Sequence, residues 1–152
     1  MSVLLCNRST STMQYVMTAK DIFVESVRFL SKLSSRYSDI LSPVVMKLAD
    51  ELLSNTVKAN GIFPSDSKSR ELRRGHLLEA RASLDALEVE LSLVYEILSE
   101  NPEWAFSVQK GRPMSRQDAI NLIHKKALTI GNKISEERNL LTGIIKSDEK
   151  RT

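Results

Sequence analysis

Apolar residues recur at intervals of three and four along most of the chain, and the phase resets at a few points marked by proline, glycine or a serine cap. The most regular run is Leu77, Ala80, Leu84, Leu87, Leu91, Val94 and Leu98, which predicts a long amphipathic helix opened by Ser65, Asp66 or Ser67. Before it, Phe23, Val27, Leu30, Leu33 and Tyr37 predict a first helix from about Thr18 to Tyr37, with Met13 as its earliest start. "TAKD", Thr18 to Asp21, has capping-box spacing. Ser42 and Pro43 are expected to open a second helix, since proline in a first turn loses no hydrogen bond. Val45, Leu48, Leu52 and Ala59 mark its buried face, and Gly61 ends it. After a connection in which Trp104 and Phe106 are expected to fold back over one bundle end, Ser115 and Asp118 start a fourth helix. Its stripe is Ile120, Ile123, Ala127, Ile130, Ile134, Leu141 and Ile145.

Four amphipathic helices and no competing strand pattern predict an all-α fold, an antiparallel up-and-down four-helix bundle over residues 13–146. Residues 1–12 are expected to be a flexible N-terminal tail and residues 147–152 a frayed C-terminal one. Composition agrees with that class. The chain has 152 residues, 41% apolar but only 5% aromatic, with 5 glycines and 4 prolines. This suits one domain with an aliphatic core. Cys6 is the single cysteine, so an intrachain disulfide is excluded, as is a cysteine-based zinc site. No run approaches the length of a membrane span or a signal-peptide core, and a cytoplasmic location without membrane association is expected.

Catalytic chemistry finds little support. His76 and His124 fall on different helices, and neither has the Glu three positions before it that a di-metal carboxylate bundle requires. Gly75, Gly111, Gly131 and Gly143 are isolated, so no phosphate-cradling loop is present. Glu96 and Glu100 share a face, but one pointing away from the leucine seam, which makes a solvated acidic surface. The expectation is a protein that is not an enzyme and carries no cofactor or metal.

The basic residues say more. Arg70, Arg73, Arg74 and Arg81 cluster at the start of the third helix. From Ser83 to Trp104 no Lys or Arg follows, whereas Asp85, Glu88, Glu90, Glu96, Glu100 and Glu103 do. On the fourth helix Lys125, Lys126 and Lys133 form a second stripe, preceded by Arg112 and Arg116. Guanidinium groups suit phosphate and carboxylate partners, so these positions are candidates for binding nucleic acid or a partner protein. The competing account is ordinary solubilising charge with local partners such as Glu71 and Glu79, since the net charge is only +3. With few aromatics to stack bases, any contact to RNA or DNA would go to the backbone. Replacing Arg73, Arg74 and Arg81 together is expected to weaken such binding and leave the bundle folded.

Apolar residues outside the main stripes (Val89, Leu93 and Ile97; Leu122, Leu140 and Ile144) predict self-association, because one bundle buries one face per helix. Arg138 lies in line with the fourth apolar stripe. Either it snorkels at the bundle edge, or it meets the acidic half of another protomer's third helix. Leu93, Ile97 and Arg138 are therefore the candidate oligomer contacts.

The stretch "LRRGHLLEARASLDALEVELSLVYEIL" resembles the third helix of small four-helix-bundle proteins that include the accessory variability determinant, Avd, of diversity-generating retroelements. "SRQDAINLIHKKALTIGNKISEERNLLTGI" is similar to their last helix, with Thr129–Gly131 standing where many members have Glu-Ile-Gly. The likeness covers residues 18–146 as an order of helices, and Arg73 and Arg74 take the place of the family's paired arginines. It implies a pentameric barrel of bundles that binds a reverse transcriptase and nucleic acid, serving cDNA synthesis without catalysing it. The chain departs from the pattern in lacking the Gly-Gly-Trp that often closes the last helix, and in a longer link before that helix. The same bundle occurs in proteins encoded by intervening sequences of ribosomal RNA genes. A plain structural oligomerisation bundle, with no nucleic-acid role, is the alternative reading.

Overall fold

A computed structural model describes residues 10–108 and 111–151 of the chain. Among them are four α-helices: α1 (Thr10–Leu30), α2 (Ser35–Asn60), α3 (Ser67–Glu100) and α4 (Arg116–Glu149). A short 3-10 turn, Pro102–Trp104, lies between α3 and α4. Each helix packs on the next, and α4 closes back onto α1. Side-chain pairs set the directions. Tyr15, early in α1, meets Asn60 at the end of α2; Arg73, early in α3, meets Ala59 in α2 and Asp148 late in α4. Lys126 and Lys133 of α4 reach Glu25 and Asp21 of α1, again in opposite order. Neighbouring helices therefore run antiparallel, as the all-α bundle expected.

The caps of the last two helices match their sequence signals. Asp66 accepts a bond from the Ser69 amide at 2.7 Å, and Ser69 Oγ accepts from the Asp66 amide at 3.0 Å. Those bonds to Ser69 also hold the Asp66 carboxyl below its ordinary pKa. Ser115 accepts from the Asp118 amide at 3.2 Å. The leucine seam of α3, from Leu77 to Leu98, is buried throughout.

The first half of the bundle differs from expectation in three ways. α1 begins at Thr10, inside the segment expected to be a tail, and ends at Leu30 rather than Tyr37. It stops there because another loop captures its exit. The Ser34 amide donates to Ala105 O and the Ser107 amide to Lys32 O, both at 2.9 Å, while Ser34 Oγ reaches Trp104 O at 2.7 Å. Phe106 is thereby buried against the bundle end, and Arg36 stacks 4.5 Å from the exposed Trp104 ring. Second, α2 starts at Ser35, so Pro43 sits inside the helix, on an exposed side where water can serve the Asp39 carbonyl it cannot reach. Third, the buried stripe of α1 is Met13, Tyr15, Ala19, Ile22, Phe29 and the expected Leu30, with Thr18 and Ser26 also inside and Val27 outside. Ser26 Oγ donates to its own helix at Ile22 O, 2.8 Å, which lets a hydroxyl occupy a core-facing position. At the other end α4 continues past residue 146 to Glu149. Residues 1–9, with Cys6, lie outside the described residues.

Candidate interaction surfaces

Arg73 and Arg74 are adjacent in sequence and differently placed. Arg73 has a side chain only 12% exposed. Its Nε donates to Asp148 Oδ2 at 2.6 Å, and Nη1 donates to Ala59 O at 3.0 Å and Ile62 O at 3.2 Å. One guanidinium thus reaches carbonyls at and just past the end of α2 and ties three helices together. Arg74, half exposed, pairs with Glu149 Oε1 at 2.5 Å. The two carboxylates lie in the segment expected to fray, and these arginines hold it helical.

The other predicted cations divide in the same manner. Arg116 pairs with Glu103 at 3.2 Å, Lys126 with Glu25 at 3.9 Å, and Lys133 with Asp21 at 3.5 Å and Glu136 at 3.6 Å. Arg70, Arg81 and Lys125 make no ion pair with a described residue. Arg70 and Arg74 line an open cleft of about 310 Å³ with Glu71, Leu77, Ile145, Asp148 and Glu149. Its walls carry both signs of charge. Arg73 makes these contacts inside the fold, so its replacement is expected to cost stability that replacement of Arg70, Arg74 or Arg81 does not.

Arg138 finds its acidic partners within its own chain. Its Nη2 lies 3.1 Å from Asp85 Oδ1 and contacts Glu88 Oε2, and the hydrogen bond to Glu88 raises the Arg138 pKa. In the single bundle, the acidic half of α3 that it meets is therefore the one beside it. Leu122, Leu140 and Ile144, expected to be surplus apolar surface, are half-buried against the core.

The surplus on α3 is different. Leu78, Val89, Leu93 and Ile97 are 44%, 62%, 47% and 38% exposed. Ala82 and Ala86 are exposed between them. At 3.6 residues per turn these six side chains fall within about 100° of the helix circumference, on the side opposite the leucine seam. The strip is roughly 30 Å long. One flank carries Arg70, Arg74 and Arg81 towards the N-terminal end of α3, with Asp85 and Glu88 beyond, while Glu96 and Glu100 border the strip at its C-terminal end.

One charged core residue escaped the sequence reading. Glu137 is fully buried in α4, and neither carboxylate oxygen has a hydrogen-bond partner among the described residues. Burial, with the nearby Glu136 charge adding, pushes its pKa up to about 9, so it is a neutral acid at pH 7. The signal was available: Glu137 lies three residues after Ile134 and four before Leu141, on the apolar stripe itself.

His76 Nδ1 lies 3.3 Å from Asn55 Oδ1, and His124 is exposed. Among the described residues no group of three or more His, Cys, Asp or Glu is placed to hold a metal ion. No helix of the described residues is long and apolar enough to cross a membrane. Compared with family models, curated proteins and solved structures, the chain has no match.

Proposed function

We propose that the chain is a non-catalytic interaction module whose docking surface is the outer face of α3. The observation that carries this reading is the apolar strip from Leu78 to Ile97, which no other described element of the bundle covers. Exposed apolar strips of this length serve partners more often than solvent. The test is a photo-crosslinking side chain placed at Val89 in cells producing the chain, with Asn139, exposed on α4, as the control position. Adducts at position 89 and none at 139 support the reading; no adduct at 89 overturns it.

The accessory role implied by the resemblance to Avd is a second reading, with a reverse transcriptase and its RNA or cDNA as partners in the cytoplasm. It is favoured by Arg70 and Arg81, which lack ion pairs with described residues, and by Arg74, whose exposed pair with Glu149 contributes about 0–1 kcal/mol and is readily exchanged for phosphate. Arg116, Lys125, Lys126 and Lys133 belong to the same set of candidates. A binding titration over several salt concentrations tests it. Replacing Arg70, Arg74 and Arg81 by Ala, with Arg73 kept, is expected to flatten the log–log salt slope by up to about 0.9 for each duplex DNA phosphate that is no longer neutralised. Absence of any salt-dependent binding, with or without the polymerase, removes this reading.

A further inference from the structure

Resting on α3's outer face as a docking surface, we propose that its occupant is the same face of a second copy, packed antiparallel about a two-fold axis passing between Leu87 and Glu88. The strip is complementary to itself in that direction. Leu78 falls opposite Ile97 of the second copy, Ala82 opposite Leu93, and Ala86 opposite Val89, so a small side chain faces a large one at the inner two levels. Small residues facing large ones let two helices approach closely and interdigitate.

Charge selects the same arrangement. Antiparallel packing brings Arg81 near Glu96 of the second copy and Arg74 near Glu100, each pair occurring twice by symmetry. Parallel packing would set arginine beside arginine and glutamate beside glutamate. From Ser83 to Trp104 the chain carries acidic residues and no basic ones, while the first half of α3 has a net basic excess despite Glu71 and Glu79. A two-fold contact of this kind is isologous and closes at two copies, in contrast to the ring implied by the resemblance.

Sedimentation equilibrium over a concentration series reaching hundreds of micromolar is expected to return twice the monomer mass. Leu93→Glu should weaken association roughly a hundredfold, with an unchanged far-ultraviolet circular-dichroism spectrum showing that the bundle still folds. Arg81→Glu and Glu96→Arg should each weaken it, and the double reversal should restore it. In a Cys6→Ser background, chains carrying Leu78→Cys and Ile97→Cys should be joined to one another by a short thiol crosslinker, each more readily than to itself. A monomer throughout the series, a mass of five chains, or crosslinks of 78 to 78 and 97 to 97 overturns the proposal. A monomer in solution with Val89 adducts to a different protein in cells removes only the second copy as occupant. A monomer without such adducts removes the docking surface as well.

Discussion

α3 and α4 are equally long, 34 residues each, and they fill their faces in opposite ways. α3 turns Leu, Ala and Val into the core, with Ser83 the one buried polar residue among them, and keeps a second apolar strip on the outside. α4 turns Ile123, Ile130, Ile134, Leu141 and Ile145 inward but interrupts them with Glu137, and its remaining large apolar residues are half-buried, apart from the exposed Leu128. The bundle covers one of the two apolar faces of α3 and leaves the other exposed. A helix with a neutralised acid in its core-facing stripe gives up stability at that position. Burial of the isoleucines along α4 must offset that cost, because a carboxylic acid without a hydrogen-bond partner is penalised on leaving water.

The contrast is most sharply tested within α3. Leu87→Ala is expected to lower unfolding free energy by roughly 2–5 kcal/mol, as a fully buried leucine leaves a cavity. Chemical denaturation of this variant beside Glu90→Ala, which should change little, checks the helical phase. Equal losses in the two would break the assignment of inner and outer faces.

Next in size is the tie between the two helices. Arg73→Ala should cost about 2–3 kcal/mol, less than for a fully buried ion pair because Asp148 retains some solvent. Arg74→Ala, with its half-exposed pair, should stay within about 0.5 kcal/mol. Thermal melts of the two neighbouring variants decide it, and similar shifts would mean that Arg73 does not serve the end of α2.

The acid in α4 predicts a pH dependence of defined sign. Its folded pKa of about 9 lies above the ordinary value of 4.5, so the folded state holds a proton that the unfolded chain gives up. The stability linked to Glu137 is therefore fully present below about pH 4.5 and declines as pH rises towards 9, by up to about 1.4 kcal/mol per unit. Glu137→Gln cannot ionise, so the difference between variant and parent in urea denaturation should move in the variant's favour as pH rises from about 5 to about 8. A difference independent of pH would show that Glu137 reaches water or a cation. The smallest effect belongs to Arg138→Ala. Its acidic partners Asp85 and Glu88 are about half exposed, and a loss of at most about 1 kcal/mol in the same assay is expected.

Periodicity and caps determine most of the fold. Unbroken intervals of three and four place α3 in phase from Leu77 to Leu98, and Asp66, Gly61 and Ser115 stand at helix ends because each solves a local hydrogen-bonding problem that adjacent residues create. Val89, Leu93 and Ile97 of the exposed strip were legible for the same reason, since a second set of apolar residues on one helix cannot share its first face, while Leu78, Ala82 and Ala86 were added by the structure. Tertiary structure alone decided the rest. α1 ends at Leu30 because Ala105 and Ser107, some seventy positions away, take the backbone groups that would have continued it. Thr18 and Ser26 occupy core positions because their neighbours bury them, and a count of apolar residues passes over both, whereas Glu137 stands on the readable stripe of α4. The fate of each arginine was also non-local. Arg73 and Arg74 are the same residue type side by side, and only the meeting of α2, α3 and α4 makes one a buried clamp and leaves the other at the surface.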